Sequence, residues 1–207
     1  MASGTTPQAP LQPGGSRIAF FGGSFDPPHI GHVLASAYIL STQEIDRVLV
    51  APVFQHPFSK SLTSFVDRMA MCHVAFGWLP GVEISDVEAR LGGESLTLRT
   101  LEHLVVARPG DTFRLVIGSD VVADLPKWHR FDRIAELAPP LILPRALARP
   151  AMGGESPSAT QVLPCVSSSE IRDAFASAPS FEVPERVRAL VPRHVIEHVT
   201  ARGLYRR

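Results

Sequence analysis

The chain predicts an α/β fold, a doubly wound parallel sheet, and three observations predict it. Strand-like and helix-like runs alternate from Arg17 to the C-terminus, and repeated alternation implies parallel strands joined by crossover helices. The run 113–117 is apolar throughout, as in a central strand buried on both faces. Polar turns follow three of the strand candidates, at Gly22-Gly23, at Gly118-Ser119-Asp120 and at Ser167-Ser168-Ser169. In sheets of this kind ligands bind beyond the C-terminal strand ends, so the three turns should meet along one edge.

Taken in order, residues 1–16 lack both a basic start and a continuous apolar stretch. They fail as a signal peptide and read as a disordered tail ahead of one domain over 17–207. A strand is expected over 17–21. A helix over 29–42 follows, with Ile30, Val33, Leu34, Ala37 and Leu40 at helical spacing, Asp26 as its N-cap and Pro27 at its first position. The β-branched run 47–53 reads as a strand. The stretch 63–79 reads as a helix with Val66, Met69, Ala70 and His73 on one side. A strand over 82–87 and a helix over 96–107, with Leu98, Leu101, Leu104 and Val105 inward, precede the strand at 113–117. A helix over 130–137 and a strand over 141–143 come next. Residues 145–160 are rich in Pro, Gly, Ser and Ala and read as a loop. The last strand candidate is 162–166. Helices over 168–177 and 184–203 close the chain, the second ending at a glycine cap.

Composition limits the functions available. The 207 residues are 45% hydrophobic, enough for one substantial core. Lys+Arg and Asp+Glu both number 20, which argues against a broad basic surface and hence against a nucleic-acid partner. No apolar run reaches membrane-spanning length, so no membrane partner is expected. Cys72 and Cys165 lie far apart in apolar segments and read as buried, reduced thiols of a cytoplasmic protein. A homo-oligomer is left open.

The segment 22–32 reads Gly-Gly-Ser-Phe-Asp-Pro-Pro-His-Ile-Gly-His. Glycines let backbone amides approach a phosphate, and a helix N-terminus favours negative charge. His29 and His32, three apart, share a helical face, and capping chemistry alone leaves both imidazoles unexplained. No G-x-G-x-x-G opens the first helix and no G-x-x-x-x-G-K-[ST] occurs, against a dinucleotide dehydrogenase and a P-loop ATPase. The segment 166–172, Val-Ser-Ser-Ser-Glu-Ile-Arg, offers hydroxyls at a helix start and a cation one turn in, suited to a polyphosphate. Ser167 with Glu170 also makes a capping box. His194-Val195-Ile196-Glu197-His198 fits the H-x-x-E-H zinc pattern. Only nine residues follow it, without a third ligand, and zinc catalysis is set aside.

These two segments resemble the paired signature of small-molecule nucleotidylyltransferases, H-x-G-H and S-x-T-x-x-R, and within that group the bacterial nicotinate-nucleotide adenylyltransferases. Gly118-Ser119-Asp120 with Leu125-Pro126-Lys127-Trp128 resembles the family's G-x-D and L-P-x-W segments. Thr97-Leu98-Arg99-Thr100-Leu101 resembles its T-x-D-T-L, and Leu190-Val191-Pro192 through Leu204-Tyr205 its C-terminal helix and tail. The likeness spans Arg17 to Tyr205. It departs at Arg99, where the family usually has an acid, at Ser169 in place of threonine, and at 56–60, where the family's P-P-H-K loop reads His-Pro-Phe-Ser-Lys.

The resemblance implies a Rossmann-like nucleotidylyltransferase fold and transfer of adenylyl from ATP to nicotinate or nicotinamide mononucleotide in NAD biosynthesis. It implies His29, His32 and Arg172 as catalytic groups. ATP would lie against Gly22, Gly23, Ser24, Phe25, His29, His32, Gly118, Asp120, Ser167, Ser168, Ser169 and Arg172, and the mononucleotide against Ser24, Lys60, Thr97 and Trp128. Mg²⁺ would come in on the ATP phosphates, with no protein metal site. Read from the residues alone, Trp128 could instead be a packed aromatic beside Pro126 and Asp120 a helix cap. Two alternatives stay open: phosphopantetheine or cytidylyl transfer by a relative of the same group, and a nucleotide-binding regulator without turnover.

Overall fold

The computed structural model describes residues 14–56, 61–144, 163–164, 166–179 and 182–206. Five parallel strands form one sheet in the order β3-β2-β1-β4-β5: β1 Arg17–Gly23, β2 Arg47–Pro52, β3 Val82–Ile84, β4 Thr112–Gly118 and β5 Pro140–Leu143. The helices are α1 Ile30–Thr42, α2 Phe65–Phe76, α3 Val87–Leu91, α4 Thr97–Ala107, α5 Phe131–Leu137, α6 Ser168–Ser177, α7 Glu185–Leu190 and α8 Arg193–Ala201, with a 3₁₀ segment Ser119–Lys127 after β4.

Strand side chains alternate between two apolar layers, as a period of two requires. Ala19, Val48, Val50 and Val116 meet the Val33–Ile39 side of α1, Met71 to Phe76 of α2, and the three C-terminal helices. Ile18, Phe20, Leu49, Ala51 and Phe113 meet Leu101 and Leu104 of α4 and Ile134 of α5. Covering both faces buries the β1 and β2 interiors completely, which explains why their sequences are continuous apolar runs.

The strand order reverses between β1 and β4. Their pairing runs only from Arg17↔Thr112 to Phe20↔Leu115. Beyond that point β1 continues alone with β2 to Gly23↔Pro52, and β4 continues with β5 to Gly118↔Leu143. The two central strands therefore part at their C-terminal ends and open a crevice, the usual ligand position in a doubly wound sheet.

Several expectations shift. Gly22 and Gly23 end a strand rather than forming the turn itself. The candidate strand 162–166 is not formed by its described residues. Leu163 makes a single bridge and Pro164, lacking an N–H, cannot extend a ladder. The helix expected over 184–203 is two helices, because Pro192 holds Val191 extended (φ −119°, ψ 132°) and starts α8 afresh. Its glycine stop is right. Gly203 (φ +60°) follows α8, with Gly203 N–H on Thr200 O and Leu204 N–H on Val199 O, a Schellman closure. Most of the N-terminal tail and all of 145–160 lie outside the described residues, as does Cys165. Among the described residues no helix is long and apolar enough to cross a membrane.

Candidate active site

The loop between β1 and α1 leads from one crevice-lining residue, Gly22, to another, His29. Its Phe25 takes a left-handed backbone (φ 48°), which costs a non-glycine residue about 1–3 kcal/mol. Its ring is buried against Phe21, Phe76 and His32, with centroids 5.4, 6.0 and 4.9 Å away, and full burial of a phenylalanine offsets a cost of that size. The ring is thus a buttress beneath His32. Asp26 is buried rather than capping α1. Its Oδ2 accepts from Thr63 N–H at 3.1 Å and its Oδ1 from Tyr205 O–H at 2.6 Å. The N-cap is His29.

His29 and His32 stack, centroids 3.7 Å apart and planes 23° off parallel. His29 N–H donates to His32 Nδ1 at 3.2 Å. That bond needs an unprotonated Nδ1, so the neutral ring carries its proton on Nε2 and presents it as a donor. No carboxylate occupies the first turn of α1, so nothing there neutralises the positive end of the helix dipole. Gly31 is required at close quarters. A Cβ there would stand 3.1 Å from both Cε1 and Nδ1 of the His29 ring. Gly31→Ala should therefore displace that ring and lower kcat by about tenfold or more, since small misplacements near the chemistry are expensive. Unchanged steady-state turnover would show that the His29 position does not matter.

A cavity of about 250 Å³ fills the crevice. Gly22, His29, Gly31 and His32 supply one wall, and Gly118, Asp120 and Trp128 the other, over an apolar floor that includes Ile117 and Leu143. Trp128 also packs edge-on against Phe131, at 6.5 Å and 87°. So the structure brings together the imidazoles, Gly22, Gly118, Asp120 and Trp128.

The first turn of α6 is fastened to the same loop. Ser167 Oγ accepts from Ser169 N–H, Ser168 Oγ donates to Pro27 O at 2.9 Å, and Arg172 Nη1 donates to Asp26 O at 2.7 Å while Nη2 donates to Ser169 Oγ at 3.1 Å. Arg172 is not part of the cavity wall; it is held on the loop that leads to His29. The expected capping box gives way to a simple cap: Ser167 accepts from Ser169 N–H, and Glu170 faces Arg186 at 3.4 Å. Of the other candidates, Gly23 pairs with Pro52 at the end of β1, and Ser24 gives its carbonyl to Arg68 Nη1. Thr97 opens α4 outside the cavity wall. Lys60 lies outside the described residues. Arg99, the charge departure, donates Nη2 to Gly92 O and Glu94 O, so it ties a loop together.

Sequence reasoning missed three supporting residues. Arg68, fully buried, donates to Thr63 O, Ser24 O and Val53 O and leans over the Phe65 ring. Asp67 is held below the usual carboxylate range, first by the Ser64 hydroxyl and then by His198 and Arg202 of the C-terminal region. Tyr205 is pushed up by burial and by Asp26. The only sequence signal for the first two was an Asp-Arg pair inside an otherwise apolar helical run. His198 of the H-x-x-E-H stretch thus faces Asp67, and His194 pairs with Glu197 at the surface.

Residues 20–174 match the cytidylyltransferase-like family. A protein of Anaeromyxobacter dehalogenans named a probable nicotinate-nucleotide adenylyltransferase is 42% identical over 196 residues, 93% of this chain and 98% of that one. A Myxococcus xanthus protein of the same name is 40% identical over 184 residues, 86% of this chain and 93% of that one. The structure of the Plasmodium falciparum nicotinic acid mononucleotide adenylyltransferase complexed with NaAD superposes with a TM-score of 0.73 at 20% identity, covering 92% of this chain and 97% of that one, and shares the fold. With the second signature segment hydrogen-bonded to the loop that carries the first and relatives this similar along nearly their whole length, the chain belongs to the nicotinate-nucleotide adenylyltransferase family within the cytidylyltransferase-like proteins.

Proposed function

We propose that this chain transfers the adenylyl group of ATP to nicotinate or nicotinamide mononucleotide, releasing pyrophosphate and forming a pyridine dinucleotide in NAD biosynthesis. The observation that carries the reading is the cavity where β1 and β4 part, with stacked imidazoles on one wall and Asp120 and Trp128 on the other. The mononucleotide phosphate attacks the α-phosphorus of ATP, and the bond to the β-phosphate breaks. That nucleophile is already an anion, so the site needs no general base, only alignment and charge stabilisation. His32 donates its Nε2 proton to a phosphate oxygen as charge builds toward pyrophosphate, with His29 beside it. Arg172 and the serine turn of α6 hold the β- and γ-phosphates, and Asp120 accepts from a ribose hydroxyl.

Mg²⁺ fits this donor set as an ion carried by substrate. It prefers oxygen ligands and keeps several waters, while the cavity walls offer imidazoles and one carboxylate. When bound it neutralises phosphate charge. A cytoplasmic setting accords with the reading, Cys72 being a free, buried cysteine.

Incubation with ATP, Mg²⁺ and a panel of acceptors, with pyrophosphate measured, tests the proposal. Turnover with a pyridine mononucleotide supports it; turnover only with phosphopantetheine, or binding without release, overturns it. Trp128 stacks on the pyridine ring in this reading. Trp128→Ala should then raise KM for the mononucleotide about tenfold and leave KM for ATP within about twofold, a loss of roughly 1.4 kcal/mol confined to one substrate. Equal changes in both would assign Trp128 to packing.

A further inference from the structure

The end of the chain folds back under the site. After the turn at Gly203, Tyr205 enters a left-handed conformation (φ 64°) that directs its ring inward, 6.1 Å from the Phe175 ring of α6. Arg206 then donates to Pro179 O and Glu182 O and lies over the Phe175 ring, 5.9 Å from its centroid. The Tyr205 hydroxyl ends on Asp26, a carboxylate that is 1% exposed. Asp26 and its neighbour Pro27 supply the two carbonyl oxygens on which Arg172 and Ser168 rest. One buried carboxylate therefore joins the chain's end, the N-terminal turn of α2 through Thr63, and the platform that carries Arg172.

We infer that Tyr205 is a positioning residue of the nucleotide site: its hydroxyl fixes Asp26, and Asp26 fixes the backbone on which Arg172 is aimed. The inference rests on the adenylyl-transfer reading given above. Satisfying a buried carboxylate oxygen matters because an unmet one drives the side chain to rotate toward another donor. Asp26 is pinned through its side chain to Tyr205 and Thr63, so losing one anchor frees the 26–27 turn to shift, and the Asp26 carbonyl that aims Arg172 shifts with it. The mononucleotide side of the cavity, at Trp128, has no part in this chain of contacts.

The test is Tyr205→Phe, which keeps the ring and removes only the hydroxyl, together with Asp26→Asn and the double variant. We expect Tyr205→Phe to raise KM for ATP and lower kcat, each by about tenfold, with KM for the mononucleotide changed less than about twofold. The double variant should lose no more than the worse single one, as groups acting through one contact do. General structural damage would move both KM values and would add across the two sites. Calorimetric binding of a non-hydrolysable ATP analogue gives a second readout, expected to weaken about tenfold in Tyr205→Phe. If that variant does not fold, Asp26→Asn alone must show the same substrate split. An active wild-type enzyme whose Tyr205→Phe form matches it in kcat, KM and analogue binding overturns the inference. A wild-type chain that neither releases pyrophosphate nor binds the analogue overturns the underlying reading first, and this inference with it.

Discussion

Replacing His32 with alanine is expected to lower kcat about 100-fold or more, the usual loss when one transition-state donor is removed. The expectation comes from how completely the ring is fixed. His29 N–H holds Nδ1, the His29 ring stacks on one face, and Phe25 and Phe21 pack at 4.9 and 5.9 Å. A donor held this way needs no reorganisation as charge develops, and preorganised donors contribute the largest share of such catalysis. Alanine removes the donor and also leaves the His29 amide without its acceptor, so kcat should fall more than either KM rises. His32→Asn retains an N–H but shortens the reach, and should recover only part of the loss. Steady-state kinetics at saturating ATP and mononucleotide check this, and near-normal turnover in His32→Ala would remove the residue from the mechanism.

Replacing Arg68 with methionine should cause the largest loss of stability. Arg68 is 1% exposed, and its guanidinium gives Nε to Thr63 O at 2.9 Å, Nη1 to Val53 O at 2.7 Å and to Ser24 O at 3.1 Å, and Nη2 to Phe54 O at 3.4 Å. Those carbonyls belong to the loops after β1 and β2 and to the start of α2. Methionine fills much of the volume but leaves the carbonyls buried without donors, and unmet buried polar groups cost roughly 1–3 kcal/mol each. Partial entry of water lowers that sum, so a loss of about 3–5 kcal/mol is expected, or a fall in Tm on the order of 10 °C for a chain of this size. Arg68→Lys keeps the charge but not the planar fork, and should fall between. Thermal and urea unfolding measure both. A Tm within about 2 °C of wild type in Arg68→Met would show that these loops hold their shape without it.

Much of this architecture was readable from residue pattern. The order of the five strands and most helices was, because apolar strand runs and helical spacing are strong in the sequence. The extra strand expected at 162–166 is not formed by its described residues, and the short α3 and the break at Pro192 were not read. The Gly22–His32 segment does meet Ser168 and Arg172, but not by the expected route of a sheet edge: no strand leads into α6 among the described residues, and its first turn reaches the loop through Pro27 O and Asp26 O. The inward face of α2 was not readable. Val66 and His73 looked like core positions, yet both are exposed, and the buried set is Asp67, Arg68, Met71, Cys72, Ala75 and Phe76. An apolar template cannot count a buried Asp and Arg as inward, since their burial depends on partners distant in sequence: His198, Arg202 and the loop carbonyls. Asp26 failed for the same reason. Its spacing suits a helix cap, but Tyr205, 179 residues away, claims its carboxylate. The 3₁₀ segment after β4 also went unread, because Pro126 within it disguises a helical turn. Local signals located the donors of the site, and long-range polar contacts, invisible to periodicity, decide how those donors are held.

The central claim is that His29, His32 and Arg172 serve one triphosphate. A crystal structure of the chain with a non-hydrolysable ATP analogue and Mg²⁺ tests it most directly. The account predicts the phosphates in the crevice between β1 and β4, with His32 Nε2 within hydrogen-bond distance of a phosphate oxygen and the Arg172 guanidinium reaching the β- or γ-phosphate. A triphosphate bound away from the two imidazoles, or one that Arg172 does not touch, would contradict it.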